Sequence, residues 1–90
     1  MYYDVIRAAC LKNYCIYLQF EDGREGIVDL EPIVGKGEIF APLQDMDCFC
    51  RMTVDERAGT IAWPNEADIS PEALYEAVKK SINGVARYEL

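Results

Sequence analysis

No histidine occurs anywhere in the 90 residues. That removes the commonest general base and a frequent metal ligand. Aliphatic hydroxyls are also scarce: Thr53, Thr60, Ser70 and Ser81 are the whole set. Ser70 reads as a helix cap and Ser81 lies on an inward helix face, and neither has a neighbouring base. No apolar stretch approaches the roughly 18 residues needed to cross a bilayer. Met1-Tyr2-Tyr3-Asp4 lacks a basic segment leading into an apolar one, so the sequence gives no secretory leader, and a cytoplasmic protein is expected. Basic residues are outnumbered, nine against sixteen acidic, for a formal net charge of −7. Such a surface repels phosphate backbones, so no direct nucleic-acid binding is expected. It favours solubility or a basic protein partner.

What is present is apolar and aromatic. Hydrophobic residues make up 51% of the chain, with six tyrosines, three phenylalanines and one tryptophan, which is enough for a packed core. A chain of this length builds one core, so residues 1–90 are read as a single α+β domain. The four cysteines are Cys10, Cys15, Cys48 and Cys50. Without a secretory context they are expected to be reduced and mostly buried. On a helix, Cys48 and Cys50 point about 200° apart, a poor metal pair. A zinc site joining them to Cys10 and Cys15 matches no familiar spacing, and no metal or other cofactor is expected.

Local patterns predict the elements. Tyr3–Leu11 reads as a strand, and Tyr14–Phe20 as a second with Tyr14, Ile16, Leu18 and Phe20 at period two. Glu21-Asp22-Gly23-Arg24 is a hairpin turn into a third strand, Gly26–Leu30. The sequence leaves open whether Leu18 faces Ile27 or Gly26. Asp29–Val34 reads as a turn, and Gly35-Lys36-Gly37 as a break. Ile39, Phe40 and Leu43 are expected to insert into the core from a loop stiffened by Pro42. Asp45 caps a short helix through Arg51 that carries Met46, Phe49 and Cys50 inward.

A second hairpin joins Met52–Asp55 to Thr60–Trp63 through Glu56-Arg57-Ala58-Gly59. It pairs Val54 with Ile61 and Met52 with Trp63 on one face, leaving Thr53, Asp55, Thr60 and Ala62 on the other. Ser70, Pro71 and Glu72 start the last helix, and Ile69 and Leu74 form its hydrophobic staple. Leu74, Ala77, Val78, Ser81, Ile82 and Val85 make its inward stripe. Glu76 pairs with Lys80, and Asn83-Gly84 stops it. The expected architecture is a small curved antiparallel sheet in the order β-β-β-short helix-β-β-α. The C-terminal helix packs on one face.

Phe20-x-Asp22-Gly23, Val28-Asp29-Leu30, Phe40 with Pro42-Leu43, Thr60-Ile61-Ala62-Trp63-Pro64-Asn65 and Asp68-Ile69-Ser70-Pro71-Glu72-x-Leu74 together resemble a family of short bacterial domains. It is the domain of unknown function DUF2442, and the resemblance covers nearly the whole chain. It implies a small α+β fold like the N-terminal domain of some bacterial helix-turn-helix proteins. Some members are encoded beside another small protein, in an arrangement similar to toxin–antitoxin pairs. The family carries no catalytic residues to transfer. A glycine commonly follows its Trp-Pro-Asn triplet, and here that position is Glu66; a left-handed backbone there would cost about 1 kcal/mol.

Candidate chemistry is thin. Arg51 beside Cys50 is adjacency in sequence, not activation of a thiol. Asp45-x-Asp47 and Asp29-x-Glu31 read as caps or solvated edges rather than cation sites. Gly35-Lys36-Gly37 lacks the strand-to-helix setting of a phosphate loop. The tyrosines offer more. Tyr2, Tyr3, Tyr17, Tyr75 and Tyr88 exceed what a core this size buries, and tyrosine is favoured at interfaces. The candidate interaction surface is Tyr3, Tyr17, Trp63, Asn65, Asp68 and Tyr75, and an exposed edge at Tyr3–Leu11 invites pairing with another chain. The expected function is a non-catalytic protein-interaction module, antitoxin-like or self-associating as a homodimer. Its alternatives are a sensory or ligand-binding domain acting with a helix-turn-helix regulator, and a small enzyme using Cys or Asp chemistry.

Overall fold

Alternation of apolar and polar side chains builds the first sheet in the computed structural model, which describes residues 3–81 and 85–88. Strand β1 (Val5–Cys10) pairs antiparallel with β2 (Cys15–Phe20), and β2 with β3 (Glu25–Asp29). Lys12-Asn13-Tyr14 make the first turn, closed by the Leu11 N–H donating to the Cys15 carbonyl at 2.8 Å. Asn13 and Tyr14 hold positive φ values of 57° and 63°. The second turn uses Gly23 at φ 91°, as the Asp-Gly pair predicts. The register places Leu18 opposite Gly26, which settles that alternative. A side chain at Gly26 would meet the helix above, since a Cβ there would lie 2.8 Å from Val78 Cγ1.

A strand that the sequence reading missed completes this sheet. β6 (Val85–Arg87) runs parallel to β3, with Ile27 opposite Val85 and Asp29 opposite Arg87. The sheet order is β1-β2-β3-β6, so the sheet is mixed rather than wholly antiparallel. Helix α3 (Pro71–Lys80) has Ser70 as its cap, Pro71 at its first turn and Glu72 near its positive end, as expected. Ser81 is already extended (ψ 134°) and ends it. Val85, placed by its spacing on the helix stripe, lies instead on β6 and is 51% exposed. The proposed stop at Asn83-Gly84, with Ile82, lies outside the described residues, as does Tyr2.

The second hairpin forms as expected. β4 (Thr53–Asp55) and β5 (Thr60–Ala62) pair Val54 with Ile61, and Gly59 takes φ 68°. It makes a separate two-stranded sheet, tied to β1 by the Val5 N–H donating to the Gly59 carbonyl at 2.9 Å. Thr60, on the face opposite Val54 and Ile61, is buried. The chain after Pro64 turns back beside β5, and the Thr60 hydroxyl donates to the Ile69 carbonyl.

Between the sheets lie α1 (Gly37–Phe40), a 3-10 turn (Ala41–Gln44) and α2 (Met46–Phe49). Leu43 and Phe49 are fully buried, whereas Ile39, expected inside, is 47% exposed. Asp45 caps α2 through the Asp47 N–H at 2.9 Å, and the helix stops at Phe49 rather than Arg51. The cysteine expectation is also corrected. Cys10 and Cys50 form a disulfide across 40 residues of chain, while Cys15 and Cys48 are free thiols. The end of β1 and the turn after α2 meet with Cα atoms 5.3 Å apart, a proximity that sequence spacing does not encode.

Helix α3 packs on β3 and β6. Its Leu74 and Val78 share one buried cluster with Ile16, Leu18, Phe20, Val28 and Ala86 that continues through Leu30, Leu43, Phe49, Ile61 and Trp63.

Candidate functional site

The six residues expected at the interaction surface fall in three separate places. Trp63 is 4% exposed, and its indole N–H donates to the Phe49 carbonyl at 2.8 Å, so it belongs to the core and not to a surface. Asn65 is exposed but engaged in holding its turn: its Nδ2 donates to the Ile39 carbonyl at 2.9 Å, and its Oδ1 accepts from the Ala67 N–H at 3.2 Å. Asp68 is exposed and bridges to Ala62. This is the turn in which Glu66 stands for the family glycine, and its φ is 70°. Replacing Glu66 by Gly should therefore raise stability by about 0.5–1 kcal/mol, while Glu66→Ala should change it little, since alanine is equally unsuited to this conformation. Chemical denaturation of the two variants checks this. Equal stability of the Gly and Ala forms would refute it.

Tyr3 and Tyr75 do meet. Their rings pack edge-on with centroids 5.0 Å apart, and Tyr75 packs in the same manner on Phe20 at 5.1 Å. The Arg24 guanidinium lies 5.4 Å over the Tyr75 ring, and the Tyr75 hydroxyl donates to Asp22. That hydrogen bond, with a second from the Arg24 backbone N–H, lowers the Asp22 carboxyl pKa below its ordinary value. The cluster ties the β2–β3 turn to α3 through Asp22, Arg24 and Tyr75.

Tyr17 lies on the opposite side of the sheet, and there the register assembles a surface. With Ile16, Leu18, Val28 and Ala86 facing inward, their strand neighbours must face away from α3. Ala9 stands opposite Tyr17, Tyr17 opposite Ile27, and Ile27 opposite Val85. These four side chains form one apolar row across all four strands. Ala9 and Val85 are exposed, and Tyr17 and Ile27 are half-buried by their neighbours.

Charges border the row on both sides. Arg7, Gln19 and Glu25 lie on one flank, and Cys15, Asp29 and Arg87 on the other. The Tyr17 hydroxyl donates to Glu25 Oε2 at 2.8 Å, which raises the phenol pKa above its ordinary value. Arg87 reaches Asp29 at 3.4 Å and Glu31 at 3.7 Å. The Cys15 thiol is pushed up by partial burial and by Asp29 and Glu31, the reverse of what a reactive thiolate needs.

The remaining chemistry is sparse. The side chains of Asp29 and Asp45 each accept from the backbone two residues ahead, as caps do. Among the described residues no group of three or more acidic or cysteine side chains could hold a metal, and no helix is long and apolar enough to cross a membrane. A shallow concavity of about 280 Å³ lies between β1 and the second hairpin, lined by Asp4, Ile6, Val54 and Glu56 among others.

Of this row the sequence reading singled out Tyr17 alone; Ala9, Ile27 and Val85 join it through the strand register. The hairpin register carried the signal for the first two, once the turn lengths are known. No local signal marks Val85.

Fold and surface together define a small α+β domain: a mixed four-stranded sheet with α3 on one face and an apolar row on the other. The chain belongs to the family described as protein of unknown function (DUF2442), which matches residues 5–80. None of the curated proteins and none of the solved structures matches it.

Proposed function

We propose that this domain is a non-catalytic protein-interaction module and that the open face of its four-stranded sheet is the binding surface. The observation that carries the reading is the in-register row Ala9–Tyr17–Ile27–Val85, opposite the face that α3 covers. Sheet faces of this kind bind by apolar contact at the centre and select partners through charge at the rim. The rest of the chemistry fits: Thr60 and the Asp29 and Asp45 caps are committed to structure, and burial with Asp29 and Glu31 pushes the Cys15 thiol up.

The test is capture from cells that also contain the untagged chain. A tagged wild-type domain should retain a protein, either another chain or the untagged copy, that Ile27→Arg releases. Ile39→Arg, at the exposed site on α1, should retain it. Equal retention by wild type and Ile27→Arg, or none by either, would sink the proposal.

A further inference from the structure

Resting on that reading, we infer that the open sheet face binds a second copy of this chain, with the two-fold axis running along β2. Two observations point to a copy rather than to the basic partner that the overall charge would favour. The first is charge balance. The formal net charge is −7, yet the four strands present Arg7 and Arg87 against Glu25 and Asp29 on this face, with Glu31 at its edge. Nearly all of the excess negative charge therefore lies elsewhere, and two like-charged molecules can meet here without juxtaposing it.

The second is self-complementarity. In an isologous contact, a residue that meets a second residue of the partner is matched by the reverse pair, and only residues on the axis meet their own counterparts. β1 and β3 flank β2 on either side. Rotation about an axis along β2 therefore lays β1 of one copy over β3 of the other. Ala9 then meets Ile27, a small side chain against a large one, and the two Tyr17 rings meet at the axis. Arg7 meets Glu25, twice per dimer, because those residues occupy the same flank of the row at β1 and β3. Within one chain Arg7 already lies close enough to Tyr17 to oppose the rise in its pKa, and Glu25 accepts the Tyr17 hydroxyl. The three side chains thus form one polar flank that the partner meets in reverse order. An axis across the strands would instead set Glu25 over Asp29, like charge on like. Aligned sheets pack about 10 Å apart with a modest rotation, close enough for these long side chains to pair.

Sedimentation equilibrium on the purified, untagged chain tests the inference, with far-UV circular dichroism confirming each variant's fold. Wild type should sediment at about twice 10.2 kDa at high micromolar concentration. Arg7→Glu and Glu25→Arg, each placing like charges opposite one another twice, should each weaken the dimer at least roughly tenfold. The double variant, which restores opposite charges, should recover it. A monomeric wild type overturns the inference, and so does a dimer indifferent to the single reversals. A monomer that nevertheless captures another protein through Ile27 would leave the interaction-module reading standing and remove only the second copy.

Discussion

Reducing the Cys10–Cys50 disulfide should cost this domain about 4 kcal/mol of folding stability. The bond closes a loop across 40 residues, and cross-linking so long a segment removes that much entropy from the unfolded chain in the loop-closure account. Each kcal/mol moves the thermal midpoint by roughly 4–8 °C in a domain of this size, so a fall of at least roughly 15 °C is expected. The bond also fastens the end of β1 to the turn after α2, and so holds the first sheet to the segment carrying Leu43 and Phe49. Urea unfolding followed by Trp63 fluorescence, with and without a thiol reductant, gives the measurement. The Cys10→Ser/Cys50→Ser double variant should match the reduced protein and ignore the reductant. Coincident curves for oxidised and reduced wild type would show that the bond adds nothing to stability.

Phe49→Ala should destabilise by about 4 kcal/mol, in the range that loss of a fully buried aromatic ring produces. Phe49 is completely inaccessible and touches both neighbouring structural units. Tyr14 packs edge-on against it at 5.3 Å, and Trp63 lies tilted beside it at 5.9 Å. Trp63 also donates to the Phe49 carbonyl, so removing the ring loosens a residue whose backbone still anchors the indole. Native Trp63 emission should shift red as water gains access, and the urea midpoint should fall. A loss below about 1.5 kcal/mol would mean that the surroundings collapse into the space. Cys50 follows Phe49 directly, so the two effects should not simply add. In the reduced variant, the combined loss approaches the whole of the roughly 5–10 kcal/mol such a domain has, and mostly unfolded protein is expected.

Local chemistry was legible wherever a few adjacent residues determine a structure. Asp22-Gly23 gave the β2–β3 turn because that pair accepts the backbone angles a tight hairpin requires. Ser70-Pro71-Glu72 gave the start of α3, and Val54 met Ile61 because a four-residue loop allows little else. Leu43 and Phe49 were read as core correctly, whereas Ile39 was not, since a short irregular segment has no periodicity to say which side faces in. Of the surface, Tyr17 was legible as a residue type suited to interfaces. Trp63 is a candidate for that surface too, but its place on the apolar face of the second hairpin already favours a structural role, and its indole donates to a buried carbonyl in the core.

The sequence by itself determined a small α+β fold: its two antiparallel hairpins, its capped terminal helix, its surplus of acid and its family. Those follow from interactions a few residues apart, from composition and from motif. Only the tertiary structure decided that Val85–Arg87 adds a parallel strand, that Cys10 meets Cys50, and that Thr60 is covered by the returning chain. The apolar row depends on the first of these. Val85 comes to Ile27 across a long crossover, and contacts between residues far apart in sequence are fixed by how whole elements pack, not by any pattern within one of them.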